Sequence, residues 1–214
     1  MTNSLEKQIF VVDDDPAVRE TLSIVLSSAG YEAICFADGE SLLAVTRTQS
    51  PACILLDVHI PGRSGIEILE ELNAEAYPAP IFMISGKGDI PMAVDAIRKG
   101  ALDFIEKPFR GKEIVTRIEE AIEAYTRRRC EDLTAKVPSM NFPGREPLTL
   151  REREVLELFA AGNTNKEAGR QLGISPRTIE YHRANIMKKL GAKNATDLVR
   201  IVMNAVPQAA AASR

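Results

Sequence analysis

The sequence has little that would tie it to a membrane, an oxidising compartment or a fibre. No apolar run approaches the roughly 18 residues that span a bilayer, so no membrane-spanning segment is expected. The first ten residues contain no basic stretch followed by a long apolar one, and no secretory leader is expected. Cysteine is scarce: Cys35, Cys53 and Cys130 lie far apart, without metal-ligand or redox spacing. That usage points to a cytoplasmic protein. Cys35 and Cys53 fall in apolar strand-like runs and read as small buried hydrophobes, whereas Cys130 follows an arginine run and reads as exposed. Internal repeats are also missing. Hydrophobic residues at 45% and charged residues at 27% are ordinary globular values, which excludes a disordered chain.

What is present is enough chain for two domains, since 214 residues exceed one typical unit. Charge divides them. Residues 1–125 hold 11 basic and 21 acidic side chains, a net of −10, while residues 126–214 hold 16 and 9, a net of +7. An acidic half joined to a basic half implies different partners, and the basic half points to nucleic acid.

The acidic half alternates short β-rich runs with helical patterns. Residues 8–12, 52–56 and 81–84 are continuous apolar runs, as strands buried on both faces require. Further strands are expected at 31–36 and 102–105. Pro16 opens a helix with Val18, Leu22, Val25, Leu26 and Ala29 on one side, closed by Gly30. Helices are also expected at 39–46, 65–73, 92–99 and 112–125. Five β-α units in series predict an α/β doubly wound, five-stranded parallel sheet with helices on both faces. A linker is expected over 126–147, where Pro138, Pro143 and Gly144 cannot continue a helix. Cys130, Leu133 and Val137, at helical spacing, leave open that its first part prolongs the fifth helix. The basic half reads as an all-α four-helix domain over 148–206, with helices near 149–161, 164–172, 176–189 and 194–206. Thr149 with Glu152 forms a capping-box pattern, and 207–214 reads as a frayed tail.

In a doubly wound sheet, function collects at the carboxyl ends of the strands. There the sequence places Asp13 and Asp14, Asp57, Ser85 and Lys107. Converging carboxylates repel unless neutralised, and a hard divalent cation is their natural partner. Mg²⁺ suits an all-oxygen site that leaves positions for phosphoryl oxygens. Lys107 adds a point charge for such a group, and an aspartate carboxylate can attack phosphorus to form an acyl phosphate. Asp15, before Pro16, reads only as a helix cap.

The segments Val11-Val12-Asp13-Asp14-Asp15, Leu56-Asp57 with Pro61-Gly62, Ser85-Gly86 and Phe104-Ile105-Glu106-Lys107-Pro108-Phe109 resemble receiver domains of two-component response regulators. Residues 86–94 are similar to the FixJ branch of that family, and the match spans residues 5–125. The resemblance implies that Asp57 accepts phosphate from a cognate sensor histidine kinase. It also implies that Mg²⁺ is held by Asp13, Asp14, Asp57 and the backbone carbonyl of His59. Ser85 and Lys107 would contact the phosphoryl group, and Phe104 would change rotamer on activation. A cis Lys107-Pro108 bond is expected.

Residues 163–189 have helix-turn-helix grammar, with a tight turn at 173–175 and Pro176 opening the second helix. That helix carries Arg177, Arg183, Lys188 and Lys189 among inward-facing Ile179, Ile186 and Leu190. By pattern alone, a bundle with a solvated basic face or a protein-docking module stays open. The wording of residues 148–156, Asn165-Lys166-Glu167, 174–179, His182 and 185–191 resembles LuxR-type DNA-binding domains over about residues 147–205. The resemblance implies that Glu180, Tyr181 and Ala184 face base edges, while Lys166, Arg177, Thr178 and Lys188 contact phosphates. His182 reads as packing. Gly169 departs from the family pattern and costs roughly 1 kcal/mol of helix propensity relative to alanine.

The function implied is a DNA-binding transcriptional regulator, not an enzyme, switched by phosphorylation of Asp57. A homodimer on promoter DNA is expected, and RNA polymerase is the further partner open to such a regulator. Two rivals are weaker. An aspartyl-phosphate phosphatase would find an Asp-x-Asp spacing in residues 13–15 but no substrate-capping insertion, and a phosphate-independent docking receiver would leave the acidic set without a role. His59 and Lys87 flank the acceptor in sequence and are expected to set water access to the acyl phosphate. His59→Ala and Lys87→Ala should each change its half-life, followed by release of labelled phosphate; two parental half-lives would contradict this.

Overall fold

The computed structural model describes residues 7–74, 77–86, 90–132, 142 and 146–205, and the chain divides into two compact units. In the first, strands and helices alternate without exception: β1 Gln8–Val12, α1 Pro16–Ser28, β2 Glu32–Phe36, α2 Gly39–Thr46, β3 Cys53–Asp57, α3 Gly65–Glu71, β4 Ile81–Ser85, α4 Ile90–Arg98, β5 Asp103–Glu106 and α5 Gly111–Asp132. All strands pair in parallel, in the order β2-β1-β3-β4-β5. Each strand is joined to the next in sequence by a helix, as parallel pairing requires.

The apolar runs are explained by strand order. The three inner strands, β1, β3 and β4, are buried almost throughout. One face of the sheet presents Ile9, Val11, Cys53, Leu55, Phe82, Ile84 and Ile105 to Leu22 and Leu26 of α1 and to Ile114, Ile118 and Ala121 of α5. Residues of the opposite parity, among them Phe10, Ile54, Leu56 and Met83, are equally buried, as a sheet covered on both faces demands. Each fully buried Leu or Ile contributes about 1.5–3 kcal/mol. Helix starts are closed locally: Asp15 accepts from the Ala17 amide, Asp38 from Ser41, and Ser64 with Glu67 forms a capping box.

Two expectations need correction. Cys35 is exposed, not buried, because β2 is an edge strand paired only with β1. Cys53, on inner strand β3, is fully buried, and burial pushes its thiol pKa far up. The helix expected to end at 125 runs on to Asp132, so the first part of the expected linker is helix. No Gly or Pro occurs between Lys112 and Asp132 to stop it. Within the remaining stretch, residues 133–141 and 143–145 lie outside the described residues, as do 206–214 and therefore the expected tail.

The second unit is helical: α6 Leu150–Ala160, α7 Asn165–Leu172, α8 Pro176–Lys189 and α9 Ala195–Ala205. Gly162, Gly173 and Gly191, at the turns between them, adopt positive φ, a conformation that glycine accepts without penalty. Val155, Leu156, Ala168, Ile179, Ile186, Leu190, Leu198 and Val202 are buried. Thr149 and Glu152 close the expected capping box. The buried Glu152 carboxylate also accepts from Lys189 Nζ at 2.8 Å, tying the start of α6 to the end of α8.

One glycine controls how β3 meets α3. A Cβ on Gly65 would lie 2.0 Å from the Asp57 carbonyl oxygen, whereas the Gly65 amide donates to Val58 O at 2.9 Å. The backbone after β3 turns back against itself there. Gly65→Ala is therefore expected to destabilise the fold by about 1–3 kcal/mol or more, read as a lower denaturant midpoint.

Candidate functional site

Parallel register brings the strand ends together. Val12 of β1 lies level with Leu56 of β3, Asp57 with Ile84 of β4, and Ser85 with Glu106 of β5. Asp13, Asp57, Ser85 and Lys107 thereby share one edge. Asp13 is 0% exposed, Asp57 4% and Ser85 2%, while Asp14 is exposed. Carboxylate oxygens of Asp13, Asp14 and Asp57 lie within 4.8 Å of one another. The charge they concentrate is met by one ammonium: Lys107 Nζ donates to Asp13 Oδ2 at 2.7 Å and to Asp57 Oδ2 at 2.5 Å. The segments that follow β1 and β3 donate backbone amides to the same carboxylates. Asp57 Oδ1 accepts from the His59 amide at 3.2 Å, and Asp13 Oδ1 from the Asp15 amide at 3.0 Å.

The electrostatics follow from burial. Desolvation raises the Asp13 pKa above its ordinary 3.8, with the Asp57 charge adding to it, against the opposing bonds from Lys107 and the Asp15 amide. Lys107 is held above its ordinary value; desolvation works against its charge, and the bonds to Asp13 and Asp57 outweigh it. The donor set is wholly oxygen and anionic, with Asp14 on the open side. It fits a hard divalent cation.

The remaining expected residues are placed as follows. Ser85 Oγ donates to the carbonyl of its neighbour Gly86 at 3.4 Å. Phe104 is half-buried on β5, and the Lys107-Pro108 bond is cis. His59 is exposed and Lys87 lies outside the described residues. Asp15 caps α1 through Ala17, which removes the carboxylate that a strand-one Asp-x-Asp chemistry would need.

Sequence reasoning missed two supports of the site. Arg19, one turn into α1, donates to the carbonyls of Asp13 at 2.6 Å and Asp14 at 2.9 Å, holding the turn that presents both carboxylates. On β5, the fully buried Asp103 pairs with Arg117 at 2.6 Å and accepts from the Phe104 amide. Arg117 also donates to Phe104 O at 2.8 Å and lies over the Phe82 ring at 5.8 Å. Both signals were available only as a lone Arg within a helical pattern and a lone Asp opening a strand.

In the helical unit, α8 starts at Ser175, whose hydroxyl accepts from the Thr178 amide, with Pro176 in the first turn. Lys166, Arg177, Glu180, Ala184 and Lys188 are exposed and Tyr181 is half-buried. Thr178 departs from expectation: it is 2% exposed, and its hydroxyl hydrogen-bonds to Ser175 Oγ at 2.9 Å. It serves the helix start rather than a phosphate-facing surface. Two other cations of the expected basic face are engaged internally. Arg183 stacks on Phe159, 3.6 Å from the ring centroid, and Lys189 is paired with Glu152. His182 is buried, edge-on to Tyr181.

A doubly wound receiver carrying this acidic edge, joined to a helix-turn-helix, defines the class: a two-component response regulator. The response regulator receiver domain family matches residues 9–119 and the luxR family of bacterial regulatory proteins residues 146–202. The chain is 41% identical over 202 residues to the transcriptional regulatory protein FixJ of Bradyrhizobium diazoefficiens, covering 92% of this chain and 95% of that one. The response regulator protein TodT of Pseudomonas putida is 37% identical over 193 residues, 90% and 84% of the two chains. Full-length FixJ from B. japonicum superposes with a TM-score of 0.55 at 40% identity, covering 93% of this chain and 97% of that one. The response regulator StyR gives 0.52 at 38%, covering 92% and 98%. The chain belongs to the response regulator family and is FixJ-like, with a receiver and a LuxR-type DNA-binding domain. Among the described residues no helix is long and apolar enough to cross a membrane.

The raised Asp13 pKa has a stability consequence. The folded state holds that proton more tightly than the unfolded chain, so this residue's contribution is most favourable in acid. It weakens as pH rises from the unfolded value near 3.8 through the higher folded one. At neutral pH with chelator, Asp13→Asn is expected to raise the thermal midpoint by a few degrees. The same variant should lose most of the midpoint increase that added Mg²⁺ produces in the parent.

Proposed function

We propose that Asp57 accepts a phosphoryl group from a cognate sensor histidine kinase and that this converts the chain into a dimeric, promoter-binding form. The observation that carries the reading is the Lys107 ammonium held between the carboxylates of Asp13 and Asp57. A buried carboxylate beside an ammonium is equipped to become an acyl phosphate. An Asp57 oxygen attacks phosphorus, the phosphorus–nitrogen bond to the kinase histidine breaks, and the imidazole leaves with its electron pair. Asp13, Asp14, Asp57 and the His59 carbonyl would hold Mg²⁺, which when bound neutralises charge on the transferring group. Lys107 then exchanges an Asp57 carboxylate oxygen for a phosphoryl oxygen, keeping its bond to Asp13.

The phosphoryl oxygens offer Ser85 a stronger acceptor than the Gly86 carbonyl it now contacts at 3.4 Å. Rotation of Ser85 toward them opens space into which Phe104 turns. The surface of α4 and β5 changes as a result, a two-state element biased by local charge. Dimerisation on that surface pairs two output domains for two half-sites. Lys166, Arg177 and Lys188 serve as phosphate contacts, and Glu180, Tyr181 and Ala184 face base edges. The domains are taken as a receiver over 1–125, with α5 extending beyond it, a linker within 126–147, and a DNA-binding domain over 148–206. The role is regulatory and cytoplasmic; the acyl phosphate is a signal rather than a step toward a product. RNA polymerase is the protein that a promoter-bound dimer would meet.

The test uses acetyl phosphate as donor. The parent is expected to incorporate one phosphoryl group, shift from monomer to dimer in sedimentation, and bind promoter DNA more tightly. Asp57→Asn should do none of these. Unchanged donor-dependent dimerisation in the variant would refute the switch.

A further inference from the structure

The strongest unassigned arrangement is a chain of side chains linking three helices of the output domain. Phe159 of α6 supplies a ring on which the Arg183 guanidinium of α8 lies flat, 3.6 Å from the centroid. Arg183 NH1 donates to Asn165 Oδ1 at 2.8 Å. Asn165, the first residue of α7, donates from Nδ2 to Glu180 Oε1 at 3.1 Å. The amide has only one workable orientation: turned over, its oxygen would face a carboxylate and its NH₂ a guanidinium. Arg183 Nε is buried with no acceptor, and the guanidinium forgoes that bond to keep the ring contact.

We propose that Asn165 and Arg183 are positioning residues that fix the Glu180 carboxylate to read an amino-bearing base edge, a cytosine N4 amino group, in the major groove. The inference rests on α8 being the groove-facing helix. Glu180 is exposed one turn before Arg183 on α8, and unrestrained it would sample several rotamers. The Asn165 bond occupies one lone-pair direction of Oε1 and leaves Oε2 of the exposed residue as a further acceptor. A carboxylate accepts from cytosine N4 but is repelled by the N7 and O6 acceptors of guanine. Holding it in place makes that discrimination independent of induced fit. The geometry also rules out Arg183 as a direct guanine reader in this conformation, since its guanidinium plane is committed to Phe159 and Asn165.

The test is selection of duplexes from a randomised pool by the full-length protein treated with acetyl phosphate, followed by competition between duplexes differing at one base pair. The parent should enrich cytosine at a position that Glu180→Ala relaxes. Asn165→Asp keeps an acceptor for Arg183, and with it the packing, but sets a second carboxylate against Glu180. It should lose roughly tenfold in discrimination at that same position and little elsewhere, the scale of one good base contact. In the Glu180→Ala background, Asn165→Asp should change nothing further at that base pair. Asn165→Ala should give the same pattern, with near-parental helicity by circular dichroism. Parental cytosine preference in both Asn165 variants, or equal loss at every position, would overturn the coupling. A parent that enriches no sequence at all would overturn the reading of α8, and the coupling with it.

Discussion

The receiver depends on one contact between unlike charges: the Lys107 ammonium wedged between Asp13 and Asp57. Two carboxylates with almost no solvent exposure, and a third beside them, could not share a strand edge without it. The costly loss would be that of the ammonium, about 3–5 kcal/mol, because both buried carboxylates would be left uncompensated. Yet the balance is incomplete, with three carboxylates facing one ammonium. That residual negative charge makes the edge receptive to a cation. Burial raises the Asp13 pKa, and the Asp57 charge adds to that rise. Much of the surrounding backbone serves the same contact. Arg19 holds the carbonyls of Asp13 and Asp14, the His59 amide donates to Asp57, and Gly65 lets α3 begin against the Asp57 carbonyl.

Much of this was legible in the sequence because burial on both faces leaves a plain record. The runs that became β1, β3 and β4 are apolar except at their ends, Gln8 opening β1 and Asp57 and Ser85 closing β3 and β4. The sheet order was less accessible. Nothing in residues 31–36 distinguishes an edge strand from an inner one, so Cys35 read as buried although β2 has only β1 beside it. The extent of α5 was left open in the sequence: the arginines after Tyr125 read as a change of composition, but arginine is a good helix former and no Gly or Pro lies between Lys112 and Asp132. Arg19, Asp103 and Arg117 escaped notice because their partners lie on other elements or on backbone carbonyls.

The buried Asp103–Arg117 pair shows how a switch can be kept local. Asp103 accepts from the Phe104 amide while Arg117 donates to the Phe104 carbonyl, so both backbone groups of that residue are pinned to α5 and its own strand. A side chain that must change rotamer needs a backbone that does not. Cores are bistable rather than continuously deformable, and Phe104, half-buried between the acidic edge and the surface of β5, sits where a small rearrangement has two discrete outcomes. Under the proposed phosphorylation, a change at the acidic edge would act on the Phe104 side chain while its backbone stays held.

The output domain applies the same economy to its basic residues. A count of charges on α8 suggests a broad cationic face, but Arg183 and Lys189 are turned inward, one onto Phe159 and the other onto Glu152. Thr178 is likewise engaged with Ser175. The cations that remain exposed on α8 itself are Arg177 and Lys188, with Lys166 and Arg170 on α7. Exposed lysines and arginines hold phosphates on any sequence, so a helix with all its cations outward would bind DNA strongly and discriminate poorly. Turning two of them inward lowers the non-specific term and ties α8 to α6 through Phe159 and Glu152. Specificity, a difference between affinities, gains from both changes even though total positive charge on the surface falls.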